Sequence, residues 1–413
     1  MNQDYFAWQV RQIKSGGWAV VIRKVRKISR LPFYIIAVPL VLVVRIIRTF
    51  LVIRFGPIRN DVIGHFAFDT EYYLTERDID KTNTLDLFYF SCFESPNVQW
   101  ELMVKRSFRT HVLFKYCDQI NRLIPGWEPH FARLQDTGSR DTRNIFIKTP
   151  CHISFTNEEI EDGQKYLRQV GVQPNQNFVC MIARDAVYKE KFLNWRNRDW
   201  SYHSYRNSDI SNYIKAAELL ARQDYFVFRI GKGVKGHIKA NNNSIVDYSN
   251  SEHRSDFLDI YLSTHCKFFI NGESGLKSVP EAFRVPIVFV NLAAIEFALT
   301  WNSNVISIPK KYWLTKEKRF MAFKEIYESG AGRFLRTDQY EKLGIELIEN
   351  TSDEVLDVSM EMHQRLNNTW ETTDEDEVLQ KRFWDTFPKS ELHGEFLARI
   401  GADFLRQNRE LLC

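Results

Sequence analysis

Residues 266–291 read CKFFINGESGLKSVPEAFRVPIVFVN, and this stretch decides the fold. Cys266–Ile270 reads as a strand, Asn271–Gly275 as a glycine-bearing turn, Leu276–Phe283 as a helix and Ile287–Asn291 as the next strand. Strands that are apolar on consecutive residues, joined through a helix, describe a parallel sheet covered on both faces. The alternation extends upstream. Phe178–Ala183 (FVCMIA) is a continuous apolar strand, Ile210–Gln223 an amphipathic helix, Tyr225–Ile230 (YFVFRI) a strand, Ser244–Tyr248 a short strand and Ser255–Ser263 a helix. This is a doubly wound succession, whose ligand crevice is expected at the carboxyl ends of the strands.

The first half repeats the theme less clearly. Phe50–Phe55 (FLVIRF) reads as a strand ending in a Gly56-Pro57 turn, residues 66–78 as a helix and Thr84–Phe93 as a strand. The polar stretch VQPNQN at 172–177 reads as a domain link. With 413 residues the chain suits two domains and an appendage. The expected organisation is an N-terminal segment 1–49, an α/β domain 50–170, a second α/β domain 171–315 and a charged helical tail 316–413. The tail is expected to pack back on both domains.

The net charge of +4 conceals an asymmetry. Residues 1–54 hold ten Lys/Arg against Asp4 alone, a balance of +9, while the remainder holds 46 basic and 51 acidic residues, a balance of −5. Residues 31–44, LPFYIIAVPLVLVV, form an uncharged apolar run of 14, whereas a spanning helix takes about 20. Extending the run to Ile53 would put Arg45 and Arg48 in hydrocarbon, at roughly 2.5–3.5 kcal/mol each near the centre. Pro32 and Pro39 interrupt helix hydrogen bonding. The flanking cations suit anionic headgroups, at about 1 kcal/mol each. The segment therefore reads as a monotopic anchor for an anionic membrane surface, at the cytoplasmic face of the inner membrane; a buried helix of the first domain is the alternative. The run starts too late for a signal peptide and no small-residue cleavage site follows it. Its Leu, Val and Ile, rather than stacking aromatics, argue against nucleic acid. Cys92, Cys117, Cys151, Cys180, Cys266 and Cys413 are scattered, without CxxC pairs or zinc spacing, as in a reducing compartment.

The candidate chemistry lies where strands end. Gly272, Glu273, Ser274 and Gly275 form a turn whose glycines admit close backbone approach and whose following helix offers free N–H groups to a diphosphate. An ordinary turn capped by Ser274 is the structural alternative. Arg229 and Lys232, in RIGKG, end another strand, and Arg184-Asp185 ends a third. Tyr205, Arg206 and Asn207 lie in the loop that follows. Cations there would neutralise a leaving nucleoside diphosphate without a metal. No Walker loop occurs, and no G-x-G-x-x-G of a nicotinamide enzyme.

From Ile182 to Asn291 the chain, with RD, YHSYRNSDI, FRIGKG and RSDFLDIYLSTHCKFFINGESG, resembles bacterial glycosyltransferases linked to surface-polysaccharide assembly. GESG, a helix and VPIVFV are similar to the donor motif of two-domain GT-B transferases, including heptosyltransferases. The heptosyltransferase pattern has His where Lys277 or Ser278 falls here. Counting GPIRNDVIGHFAFDTEYYL and GIELIENTSDEV, the resemblance covers roughly residues 50–380.

The resemblance implies two Rossmann-like domains and transfer of a sugar from a nucleotide-sugar donor to a glycan or lipid-linked acceptor. It places the acceptor loop at Arg59–His65, where His65 or Asp61 could take the acceptor proton; alternatively His65 only braces the helix. Asp69 and Glu71 could orient this loop or catalyse, and His203 is a second-rank candidate. With a base in that half, inversion is expected, with no cofactor and no metal. The rival expectation is a non-enzymatic membrane module that binds nucleotide or glycan.

Overall fold

The structure, a computed structural model, describes residues 28–134, 138–192, 199–240 and 242–412, and scattered positions between 12 and 25. The cations Arg11, Lys14, Arg23, Lys24, Arg26 and Lys27 lie outside the described residues. The chain forms two compact units, one of Met1–Arg59, Asp80–Phe93 and Lys105–Leu134, the other of Asn60–Ile79, Glu94–Val104 and Gln135–Cys413. The helices used below are α1 (Leu31–Ile46), α2 (Ile63–Asp80), α3 (Val112–Asn121), α4 (Asn157–Gln169), α5 (Ile214–Arg222), α6 (Asp256–His265) and α7 (Ser352–Leu366).

The smaller unit is an α/β layer. Strands β1 (Val52–Ile58) and β2 (Thr84–Phe90) pair in parallel, with single parallel bridges from Phe55 to Phe131 and from Phe88 to Thr110. The expected Gly56-Pro57 turn is instead the middle of β1. The glycine serves close approach: the backbone N–H of Ala132 donates to Phe55 O at 2.9 Å, and a Cβ on Gly56 would lie 2.0 Å from Ala132 O. Helix α1 packs one stripe, Ala37, Val41 and Val44, into an apolar cluster with Phe55, Tyr116 and Cys117.

The larger unit carries a seven-stranded, all-parallel sheet in the order β12-β8-β7-β6-β3-β4-β5. Its strands are β3 (Phe178–Ala183), β4 (Phe226–Arg229), β5 (Ile245–Val246), β6 (Phe269–Gly272), β7 (Ile287–Leu292), β8 (Val305–Pro309) and β12 (Arg399–Ile400). Every residue of β3, β4, β6, β7 and β8 is buried, as a sheet covered on both faces requires. A small antiparallel sheet of β9 (Lys311–Leu314), β10 (Arg319–Phe320) and β11 (Ile345–Ile348) follows. The tail is therefore helical only in part, since β10, β11 and β12 belong to it.

Two polar devices fix the tail and α2 to this sheet. Asn291, at the end of β7, exchanges hydrogen bonds with Asn350: each backbone N–H donates to the other's side-chain oxygen, at 2.6 and 2.8 Å. Helix α7 then packs on α5. On α2, Glu71 is completely buried. It accepts from the backbone N–H groups of His152 (3.1 Å) and Ile153 (3.3 Å) and from Arg284 Nη2 (3.0 Å). Arg284 Nε in turn donates to Phe146 O at 2.9 Å, and its guanidinium lies over the Phe146 ring.

Removing one member of a buried, hydrogen-bonded pair typically costs about 3–5 kcal/mol. Arg284→Met is accordingly expected to lower the unfolding free energy measured in urea by that order, against about 1 kcal/mol or less for Lys324→Met, which loses only an exposed ion pair with Glu328. His152 supplies a pH test. Its hydrogen bond to Glu71, outweighing burial and aided by Asp78, raises its pKa above the ordinary 6.5. A raised histidine contributes stability that is complete below about pH 6.5 and is lost as pH rises through the folded-state value. The stability advantage of the native chain over His152→Gln should shrink as pH rises above about 6.5 and through the raised folded-state value; an advantage that grows as pH rises would reverse the assignment.

Candidate active site at the strand ends

The adjacent strands β6, β3 and β4 finish side by side: Ala183 is level with Gly272, and Met181 with Arg229. The NGESG turn leaves β6 at this edge. A Cβ on Gly272 would stand 2.1 Å from Tyr213 Oη and 2.8 Å from Ser208 Oγ, so only glycine fits. Glu273 follows with a left-handed φ of 53°. Arg206, on the short helical turn Ser201–Arg206, holds that conformation: Nε donates to Glu273 Oε2 at 3.0 Å and Nη2 to its carbonyl at 2.8 Å. Ser274 caps, accepting from Leu276 N at 3.2 Å.

The helix after the turn is shorter than the sequence pattern suggests. It is a 3₁₀ turn, Gly275–Lys277, followed by the five residues Ser278–Ala282, and Arg284 leaves it at a left-handed φ of 63°. A helix dipole needs several aligned peptides. Charge attraction at this edge therefore rests on side chains.

Asn207 assembles those side chains. Its side-chain oxygen accepts from Arg184 Nη1, and its carbonyl accepts from Lys310 Nζ at 2.6 Å. Burial, and then Arg206 nearby, bring the Arg184 guanidinium down to about 10, which leaves it charged at neutral pH. Burial likewise lowers Lys310, against the attraction of Glu349 and Glu273. Arg184, Arg206 and Lys310 thus share one neighbourhood with the carboxylates Glu273 and Glu349. Lys310 was not anticipated, because β8 was not recognised; its signal is the polar residue directly after the apolar VISIP strand.

Other expected residues brace loops. Arg229 is buried, with its guanidinium donating to the carbonyls of Lys235 (2.8 Å) and Gly236 (2.9 Å) and lying 3.5 Å from Asp247. Asp185 accepts from Val187 N (2.9 Å) and Lys235 N (2.7 Å). Tyr205 is buried against Tyr340. Lys232 lies 3.6 Å from Asp256, whose carboxyl stays below its usual range despite burial, held by Val98 N–H, Lys232 and Arg254. His203 gives its carbonyl to Arg184 at 3.1 Å.

The loop ahead of α2 reaches the same turn. A Cβ on Gly64 would be 3.1 Å from Gly275 O and 3.4 Å from Gly275 Cα, so the two backbones are in contact there. Asp61 precedes α2 in this loop, and His65 lies on its first turn. His65 is tied into a relay: its Nδ1 is 2.6 Å from Ser139 Oγ, and the Ser139 hydroxyl donates to Asp69 Oδ1 at 2.7 Å. Because that hydroxyl proton is spent on Asp69, Ser139 accepts from His65. In the neutral form of the ring that arrangement puts the proton on Nδ1 and the lone pair on Nε2. Ser139 is steadied by its neighbour Arg140, which is buried and donates to the carbonyls of Phe297 (3.0 Å), Ala298 (2.6 Å) and Leu392 (2.5 Å). Among the described residues no group of three or more His, Cys, Asp or Glu is placed to hold a metal ion.

No protein-family model and no curated protein matches the chain. Three solved structures are similar to it. A glycosyl transferase family 9 protein from Veillonella parvula shares 10% identity at a TM-score of 0.44, over 76% of this chain and 97% of that one. The ADP-heptose lipopolysaccharide heptosyltransferase II of E. coli shares 10% at 0.37, over 62% and 90%. The dodecameric iron-containing heptosyltransferase TibC, solved with ADP-D-β-D-heptose, shares 13% at 0.34, over 76% of each chain.

The crowding at Gly272 gives a direct check of the turn. Gly272→Ala forces a methyl group against Tyr213 and should destabilise the chain by about 1–3 kcal/mol. Tyr213→Phe removes the nearest oxygen, so the double variant should be more stable than the sum of the two single losses in a denaturation cycle.

Proposed function

We propose that the chain is a glycosyltransferase passing a sugar from a nucleotide-sugar donor to a hydroxyl of a glycan or lipid-linked acceptor. The observation that carries this reading is the contact of Gly64, at the start of α2, with Gly275 of the NGESG turn; it supports His65, hydrogen-bonded to Ser139, as the acceptor-side base. In the proposed step His65 Nε2 takes the acceptor hydroxyl proton and the acceptor oxygen bonds to the anomeric carbon. The bond from that carbon to the donor phosphate oxygen breaks, and the nucleoside diphosphate leaves with the electron pair. Arg184, Arg206 and Lys310 offset the charge that develops on it. Direct displacement of this kind inverts the anomeric configuration and needs no divalent ion.

General base catalysis contributes about 10²–10⁴-fold. His65→Ala should lower turnover by that order with donor affinity nearly unchanged, while Ser139→Ala, which loses one hydrogen bond behind the base, should cost about 3–10-fold. If Asp61→Asn instead shows the large loss and His65→Ala does not, the base is Asp61.

Lys310→Met should weaken nucleoside-diphosphate binding by about 1.5–3 kcal/mol, as for a lost charged hydrogen bond, and EDTA should leave both binding and transfer intact. Calorimetry followed by a panel of donors measures this. Nucleotide binding without transfer from any donor would favour the non-enzymatic module.

A further inference from the structure

We infer that α1 docks lengthwise on an anionic lipid surface, with one face in the protein and the opposite face in the headgroup layer. Helix α1 is about 24 Å long at 1.5 Å per residue. Its inner stripe is built into the smaller unit: Phe33 stacks on Tyr116 at 4.9 Å, and the Tyr34 hydroxyl donates to Gln119 Oε1 at 2.6 Å. Around the other side, Ile35, Leu42 and Ile46 are 65%, 50% and 75% exposed, and Leu31, Ile36, Leu40, Val43 and Phe50 are exposed with them. A continuous apolar face of this length is an interaction surface rather than the ordinary scatter of exposed apolar residues.

Charge identifies the occupant. Exposed Arg30 and Arg48 stand just beyond the two ends of the helix, and residues 1–54 as a whole carry +9. A second copy seated on this face would bring two such basic segments together. Anionic headgroups complement them, while the apolar face enters the acyl boundary by about 5–10 Å.

The same contacts exclude a crossing orientation. By length and composition Leu31–Thr49 is apolar enough to span a bilayer. Yet Arg45 is turned into the unit, where Nε donates to Asn121 Oδ1 at 2.9 Å and Nη2 to the carbonyls of Asn121 (3.2 Å) and Ile124 (3.1 Å). A spanning α1 would either break these bonds or draw α3, with Lys115, Asp118 and Gln119, into hydrocarbon. Lying flat costs neither.

The test is flotation of the full chain with vesicles of phosphatidylcholine alone or mixed with phosphatidylglycerol. The expected result is binding to the mixed vesicles that weakens at high salt. Binding should fall at least about tenfold in Ile35→Glu/Leu42→Glu, whose side chains point away from α3 and should leave the melting temperature near that of the native chain. Equal flotation of the double variant would overturn the inference. So would a dimer in solution that this variant dissociates while vesicle binding is unchanged. Fluorophores attached in turn at positions 35, 42 and 46 should report one shallow depth against quenchers in the lipid; a depth that changes along the helix would overturn the flat orientation.

Discussion

The buried pair between Glu71 and Arg284 is the constraint on which the site depends. A carboxylate at full burial is tolerable only when its lone pairs are filled, and here two backbone N–H groups, a guanidinium and the His152 ring share that task. The arrangement welds α2 to the parallel sheet two turns beyond His65. Together with Phe68 and Tyr72, which α2 buries in the core of the larger unit, it sets where the first turn of α2 stands relative to the NGESG turn. A polar interaction that is costly to break thus helps to set the geometry that the proposed chemistry needs.

The strand ends divide their polar residues between two tasks. At β4, Arg229 closes its own loop through two carbonyls, and Asp185 after β3 pins the same loop from the other side. Arg184, Arg206 and Lys310 instead gather around Asn207 and Glu273, where like charges are held close by local hydrogen bonds. The carboxylates Glu273 and Glu349 offset part of that charge, Glu273 through its ion pair with Arg206 at 3.0 Å. The left-handed backbone of Glu273 belongs to this economy: Arg206 is fixed by the turn that it braces.

The larger sheet was legible because its strands are short, fully apolar and separated by turn residues, as in FVCMIA and IVFVNL. The smaller unit was harder, since β1 and β2 mix polar and apolar residues and Gly56-Pro57 imitates a turn signal. Arg184 and Glu273 were visible as charged residues next to strand ends, and Arg206 as a cation in the loop after β3. What local pattern could not distinguish is an arginine gathered with other cations, like Arg184, from one, like Arg229, consumed by its own loop. Nor could it reveal Ser139, Arg140 or Lys310, whose roles come from partners far away in the chain. The length of the helix after NGESG escaped for another reason: Arg284 ends it early to meet Glu71, a tertiary demand overriding a helical pattern.

The Arg140 anchor has a consequence for the order in which the protein matures. Two of its carbonyl partners, at Phe297 and Ala298, come from the sheet region, but the third, Leu392, lies 252 residues downstream. At ribosomal elongation rates of about 5–20 residues per second, that partner emerges roughly 13–50 s after Arg140 itself. Gly394, beside it, is packed so tightly that a Cβ would lie 2.1 Å from Asn144 Oδ1, and Glu395 N–H donates to that same oxygen at 2.8 Å. The segment behind Ser139 is consequently closed by one of the later parts of the chain to be synthesised. The clasp behind the relay therefore forms only after Leu392 and Glu395 have been made, well after all the strands from β3 to β8.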